Sequence, residues 1–434
     1  MADDTSTDLR KLQIYSVFVR NHTKEGTLKA LEPDLPRIKA LGTDFIWLLP
    51  INPVGEVDRK GKLGSPYSIQ DYRKIDPAQG TWDDFVHLAD KIHELGMKLM
   101  IDIVYNHTSR DSVLLKAHPE YFLHDKQGKL FNKNPEWSDV AELDYSNHEL
   151  WDYQIETLKQ YAKVVDGFRC DVAPQVPLPF WVAARKEVAQ VKPDVVWLAE
   201  STGGDYIREI RSKGYWISSD GEIYRAFDLA YDYDIDQDWH DYVYGKSSLA
   251  DYVKVLNRQD LTFPANYIKI RYLENHDHER AHELFPNLND LINWTAFSEF
   301  QKGATLVYAG QEVGISHTPT LFDSDKLDWE SSIDLSPLMK RMHELSQDAI
   351  QVNGSYHLAD SGNDIVKVVF ETHGRQRLGI FSLRSNSGRA KTTLEDGKYD
   401  NLIDGSMVIV KNGIIRVTGC LLYTSPSPRD RSLS

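Results

Sequence analysis

Cysteine is nearly absent: the 434 residues hold two, Cys170 and Cys420. Two thiols, one of them beside Asp171, make no disulfide framework. Long apolar runs are missing too, since nothing approaches the ~18 residues that a membrane span requires. The start, "MADDTSTDLRKLQIY", has neither the basic patch nor the apolar stretch of a secretory leader. A cytoplasmic protein without a membrane partner is expected. Basic charge is in deficit as well, with 50 Lys and Arg against 65 Asp and Glu and a net charge of −15. Phosphate backbones and anionic lipids call for a concentrated basic surface, so no nucleic acid partner is expected and a neutral substrate is easier to reconcile.

What is present fits a soluble globular chain: 41% hydrophobic and 26% charged residues, enough to bury a sizeable core. The last fifteen residues, "CLLYTSPSPRDRSLS", differ in composition from what precedes them. They resemble a translated sequencing adapter, so 420–434 is expected not to be native, Cys170 to be the one native cysteine, and the natural C-terminus to be missing.

Eight short apolar runs alternate with helical patterns: "LQIYSVFV", "DFIWLLPI", "KLMIDIVY", "VVDGFRCDV", "VVWLAES", "FDLAYDYD", "YIKIRYLEN" and "ATLVYAG". Between the first two, Leu28, Leu31, Leu35, Ile38 and Leu41 recur at helical spacing, and Gly42 stands where a helix would stop. Thr81 with Asp84, and Ser146 with Glu149, read as capping-box starts of two further helices. Strand followed by helix, repeated, implies a parallel sheet with helices outside. The expected fold class is α/β, a (β/α)8 TIM barrel with a short inserted subdomain after strand 3 and a C-terminal antiparallel β domain. A doubly wound open sheet shows the same alternation and stays open as the alternative. The expected boundaries are 1–107 and 146–345 for the barrel, 108–145 for the insertion, and 346–419 for the β domain, whose segments "DIVKVVFET", "RLGIFSL" and "SMVIVKNGIIRV" alternate between turns.

Ionisable residues gather at the ends of the apolar runs. Asp102, Asn106 and His107 close the third, Arg169 and Asp171 the fourth, Glu200 the fifth, and Asn275, His276 and Asp277 the seventh. In a parallel barrel these ends open onto the face where active sites sit. A strand buried on both faces has no structural need for a carboxylate, and a desolvated unpaired one costs several kcal/mol. Each acid alone could simply pair with a nearby base, as Asp171 with Arg169; four strand ends carrying Asp or Glu weaken that explanation for the set. Arg169 projects to the same side of its strand as Asp171 and can keep that carboxylate charged. Cys170 points the other way and reads as a small packing residue.

"DIVYNH", "GFRCDVA", "LAES" and "ENHD", in that order, resemble the four signature regions of the α-amylase superfamily of retaining glycoside hydrolases, and "GSPYSIQDY" resembles the loop after that family's second strand. The resemblance covers nearly all of residues 12–419. It implies Asp171 as nucleophile, Glu200 as general acid and base, and Asp277 as transition-state stabiliser. It also implies a substrate-binding set of Tyr67, His107, Arg169 and His276, with Tyr67 stacking under the sugar ring and the histidines hydrogen-bonding it. Asp102 and Asn275 take supporting roles. The apolar run before Glu200 should raise its pKa, as a general acid needs.

No cofactor is expected. In many relatives the position of Asn106 binds calcium, but "DVAPQ" lacks the Lys-His pair whose His joins that site, so the metal is not predicted and Asn106 is its one candidate ligand. Val172, directly after the nucleophile, is similar to members acting on α-1,6 bonds. The expected activity is hydrolysis of maltodextrin-like oligosaccharides through a glycosyl-enzyme. Alternatives are an α-glucanotransferase or α-1,6-glucosidase of the same superfamily, a metal-dependent barrel hydrolase, and a non-catalytic glucan-binding barrel. The metal enzyme would normally want a clustered His pair as ligands, whereas the first strand offers only Asn21-His22 and the fourth and fifth no His at all.

Overall fold

A computed structural model describes residues 4–372 and 374–417; Cys420 and the expected adapter tail at 420–434 lie outside the described residues. Each of the eight apolar runs contains one barrel strand: β1 (Gln13–Val17), β2 (Phe45–Leu48), β3 (Lys98–Ile103), β4 (Gly167–Cys170), β5 (Val196–Ala199), β6 (Leu229–Tyr231), β7 (Lys269–Arg271) and β8 (Ala304–Tyr308). They form one closed barrel in sequence order, β8 returning to β1. The closed form, not the doubly wound sheet, is therefore the fold. The strands are shorter than the runs, and past β4, β5 and β7 the chain carries Asp171, Glu200 and Asn275.

The described chain forms two compact units, residues 4–5, 14–234 and 318–328 in one, and 6–13, 235–317 and 329–417 in the other. In the first, β1 to β6 pair parallel in succession. β2, β4 and β5 are buried at every position, as strands covered on both faces must be. The helix Trp82–Glu94 turns Phe85, Leu88, Ala89 and Ile92 into the core. Its expected start is present: the Thr81 amide donates to Asp84 Oδ2 at 2.8 Å and the Asp84 amide to Thr81 Oγ1 at 3.1 Å. The other expected box does not form. Asn147, not Ser146, caps the helix His148–Ala162 by accepting the Glu149 amide at 3.0 Å, and the Ser146 amide goes to Asp144 Oδ1 at 2.9 Å. An Asx side chain one residue later satisfies the same orphan amides.

The leucine-spaced segment folds as two short helices, Leu28–Leu31 and Leu35–Ala40, joined by a 3-10 turn at Glu32–Asp34. Pro33 and Pro36 are the second residues of the 3-10 turn and of the helix Leu35–Ala40, in the first turn where a missing N–H costs little. All five apolar residues of the pattern are buried. Gly42 follows at φ 98°, a left-handed stop that glycine adopts without strain. Between β3 and the helix at His148, strands His107–Ser109 and Val140–Glu142 pair antiparallel.

In the second unit β7 and β8 pair parallel. Beyond them lies a three-stranded antiparallel sheet, Ser355–Asp360, Ile365–Thr372 and Arg375–Ser382. A four-stranded antiparallel sheet follows, ordered Gly388–Lys391, Ile414–Val417, Met407–Lys411, Gly397–Asp400. Along Met407–Lys411 only Val408 and Val410 are buried, the alternation of strands with one face on a core; Ile365, Leu378, Ile380 and Ile415 share that core. No helix among the described residues is long and apolar enough to cross a membrane.

Candidate active site

Parallel register brings the polar ends of β3, β4 and β5 together. Asp102 lies beside Arg169, and Arg169 beside Leu198. With side chains alternating along each strand, Asp102, Arg169, Asp171 and Glu200 share one side of the sheet and Cys170 faces the other. The ladder continues one residue past the strands, the Asp171 amide donating to the Ile103 carbonyl at 2.9 Å and the Glu200 amide to the Cys170 carbonyl at 3.0 Å. Backbone geometry thus fixes where both carboxylates leave the barrel.

Arg169 is the hub. Its Nη1 donates to Asp102 Oδ1 and to Asp171 Oδ1, each at 2.9 Å, and its Nη2 lies 3.1 Å from Glu200 Oε1. The side chain has no solvent exposure and stands over the rings of Trp47, Tyr231 and Tyr67, at 5.1, 5.4 and 5.7 Å. A guanidinium enclosed by aromatic faces and carboxylates keeps its charge. Burial works against that charge, but the carboxylates of Asp102 and Glu200 prevail and hold Arg169 well above its ordinary value. Burial pushes the Asp102 carboxyl up, to about 7, against the pull of Arg169. The Tyr67 hydroxyl donates to Asp102 Oδ2 at 3.0 Å.

The residue after Asp171 carries strain. Val172 adopts φ 41°, ψ 40°, a left-handed conformation rare for a β-branched side chain and worth of order 1–3 kcal/mol. That turn aims the Val172 amide at Glu200 Oε2, 2.7 Å away. Glu200 is thereby held from two sides, by Arg169 and by the backbone beside Asp171. Cys170 is fully buried, and burial pushes its thiol well up, which suits packing rather than reactivity.

His107 is buried on the strand His107–Ser109, beside the ring of Trp137 and hydrogen-bonded to the Tyr67 backbone. The amide nitrogen of Asn106 lies 3.2 Å from its Nδ1. Burial pulls the His107 imidazole down to about 4, so the ring is neutral near pH 7. As pH falls from about 6.5, the unfolded chain takes up a proton that the folded ring refuses until about 4. This residue therefore subtracts stability with acid, by up to about 1.4 kcal/mol per pH unit across that window. His107→Gln is expected to flatten the slope, read from urea denaturation at pH 7 and pH 5.

In the second unit, the turn after β7 carries Asn275, His276 and Asp277. Asn275 Oδ1 accepts the Asp277 amide at 2.8 Å, and His276 Nε2 lies 3.2 Å from Asp277 Oδ2. Asn275 and His276 are buried, whereas the Asp277 side chain is 44% exposed. The buried ion pair Glu274–Arg280 flanks the turn: Glu274 also accepts the Ala281 amide at 2.6 Å, and Arg280 donates to the Ala309 carbonyl at 3.1 Å.

The structure therefore joins Tyr67, Asp102, Arg169, Asp171 and Glu200 in one hydrogen-bonded cluster, with His107 attached through the Tyr67 backbone. Within the second unit, Asn275, His276 and Asp277 form a local group. Trp47 and Tyr231, the walls around Arg169, escape a reading of motifs because nothing in their own sequence neighbourhoods marks them. So does the half-buried group Asp236, His240 and His278, whose one sequence signal is the spacing of Asp236 and His240, four residues apart.

Two family models match this chain. The alpha amylase catalytic domain matches residues 13–139 and 117–353, and the bacterial alpha amylase C-terminal domain matches 357–420. The chain belongs to the alpha-amylase family. Among solved structures, an alpha-amylase from Lactobacillus plantarum is 48% identical at a TM-score of 0.94, covering 96% of this chain and 100% of that one. A noncanonic maltogenic alpha-amylase from Thermotoga neapolitana is 33% identical at 0.86, covering 97% and 99%. Among curated proteins, an alpha-1,4-glucan:maltose-1-phosphate maltosyltransferase of Arcanobacterium haemolyticum is 30% identical over 197 residues, 41% of this chain and 28% of that protein. The chain spans about a third or less of the length of such maltosyltransferases. The alpha-amylase family, a glycoside hydrolase family, thus accounts for both the barrel and the C-terminal sheets.

Proposed function

We propose that this family member hydrolyses the α-glucosidic bonds of maltodextrin-like oligosaccharides with retention of configuration. Asp171 attacks the anomeric carbon while Glu200 protonates the departing oxygen. Glu200, now a carboxylate, activates water to release the sugar from Asp171. Asp277 stabilises the charge that develops on the ring. Retaining cleavage needs the first two carboxyls about 5 to 5.5 Å apart. The observation that carries the reading is that one guanidinium, Arg169, reaches both, at 2.9 and 3.1 Å. A shared cation draws them close and favours the ionised form of a nucleophile. Around the sugar, Tyr67 supplies a stacking face, His107 and His276 hydrogen bonds, and Asp102 and Asn275 support.

Transfer is the second reading, favoured by the maltosyltransferases among the relatives: the same glycosyl-enzyme passes its sugar to a hydroxyl instead of water. One experiment addresses both. The chain is incubated with maltotriose, panose and isomaltose, and products are followed by proton NMR and chromatography. Sugars shorter than the substrate, released first as α-anomers, are expected from hydrolysis, and longer ones from transfer. β-Anomers appearing first, or no cleavage of any of the three, would overturn the proposal.

A further inference from the structure

A second set of side chains, all within one compact unit, has the chemistry of a metal site. The helix Asp236–Val243 opens with Asp236 and carries His240 one turn later, so both lie on the same helix face. His278 joins them from the turn after β7. One donor atom from each lies within 4.8 Å of the other two. His240 Nδ1 is 3.3 Å from Asp236 Oδ2, and His278 Nε2 is 3.9 Å from Asp236 Oδ1. Zinc holds nitrogen and oxygen donors at about 2.0–2.2 Å in a tetrahedron, which sets neighbouring donors about 3.3–3.6 Å apart. The two distances run to different oxygens of Asp236, and His240 Nδ1 also lies 3.0 Å from the Asp236 carbonyl, so a bound ion would draw the three donors in from up to 4.8 Å and take His240 from that carbonyl. The Tyr272 hydroxyl donates to Asp236 Oδ1 at 3.1 Å, the kind of outer contact that orients a ligating carboxylate. All three side chains are partly exposed, which leaves room for a water as fourth ligand.

We propose that Asp236, His240 and His278 bind a zinc-class divalent transition metal ion. Two imidazoles and one carboxylate are borderline-soft donors suited to that class, whereas calcium and magnesium prefer oxygen alone. Because His278 directly follows Asp277, a bound ion anchors the turn that carries Asp277.

The test reads binding itself and so stands apart from catalysis. The full chain, stripped with a chelator and dialysed, is titrated with zinc against a chromophoric competitor, beside His240→Gln and Tyr272→Phe. Cobalt(II) is added in parallel for its visible spectrum. The expected result is one zinc per chain that His240→Gln weakens by on the order of tenfold or more, a smaller loss in Tyr272→Phe, and the strong visible bands of four-coordinate cobalt. Tyr272→Phe keeps all three donors, so it remains informative if His240→Gln fails to fold. Equal zinc affinity in all three proteins, displacement of zinc by equimolar calcium or magnesium, or a weak six-coordinate cobalt spectrum would overturn the site and leave an Asp–His ion pair.

Discussion

Arg169→Met is expected to cost about 3–5 kcal/mol, the range for removing one partner of a buried ion pair, and so to consume much of the 5–15 kcal/mol that holds a typical domain folded. The loss is large because the side chain has no exposure and its partners are three carboxylates, Asp102, Asp171 and Glu200. Without the guanidinium these largely buried acids are left to repel one another with little solvent to screen them. Arg169→Lys is not expected to rescue the fold, since a single ammonium lacks the planar fork that reaches several partners at once. Urea denaturation followed by circular dichroism measures both. Lys91 provides the internal control: it pairs with Glu94 at 2.8 Å on an exposed helix face, and Lys91→Met should leave the urea midpoint close to that of the parent. Equal effects at the two positions would contradict the account of the hub.

Asp171→Asn is expected to leave the fold in place and lower kcat by about 10³-fold or more, the scale on which removing a nucleophile leaves only binding and electrostatic contributions. The distinction rests on geometry. An asparagine oxygen still accepts from Arg169 Nη1, which now lies 2.9 Å from Asp171 Oδ1, so the hydrogen bond persists while the nucleophilic charge is lost. Steady-state kinetics on maltotriose, with the thermal midpoint measured alongside, separate chemistry from folding. Activity within tenfold of the parent would remove Asp171 from the role proposed for it.

Local pattern carries some of this molecule and long-range pairing carries the rest. The eight strands follow from apolar runs of the right length, and their alternation with helices leads to the barrel, because a parallel strand pair needs a crossover. The Thr81 cap is legible because a capping box is a contact within four residues. Ser146 misleads because Asn147 offers a competing acceptor one place later, and patterns alone do not rank the two. The Arg169–Asp171 pair is visible from a two-residue spacing on one strand. Its enclosure by Trp47 from β2 and Tyr231 from β6 is not, since strand register decides it. The same holds for Asp236, His240 and His278: His240 on a helix and His278 in the turn after β7 are brought together by the fold, and no local pattern links them.

The central claim is that a sugar becomes covalently attached to Asp171, and trapping that bond tests it most directly. A 5-fluoro-α-glucosyl fluoride, which slows breakdown of a glycosyl-enzyme, is incubated with the chain, and intact mass and peptide mapping locate the adduct. One hexosyl group per chain on the peptide containing Asp171, absent in Asp171→Asn, is the predicted result. An adduct on another residue, or turnover of the fluoride to the β-anomer with none formed, would contradict the account.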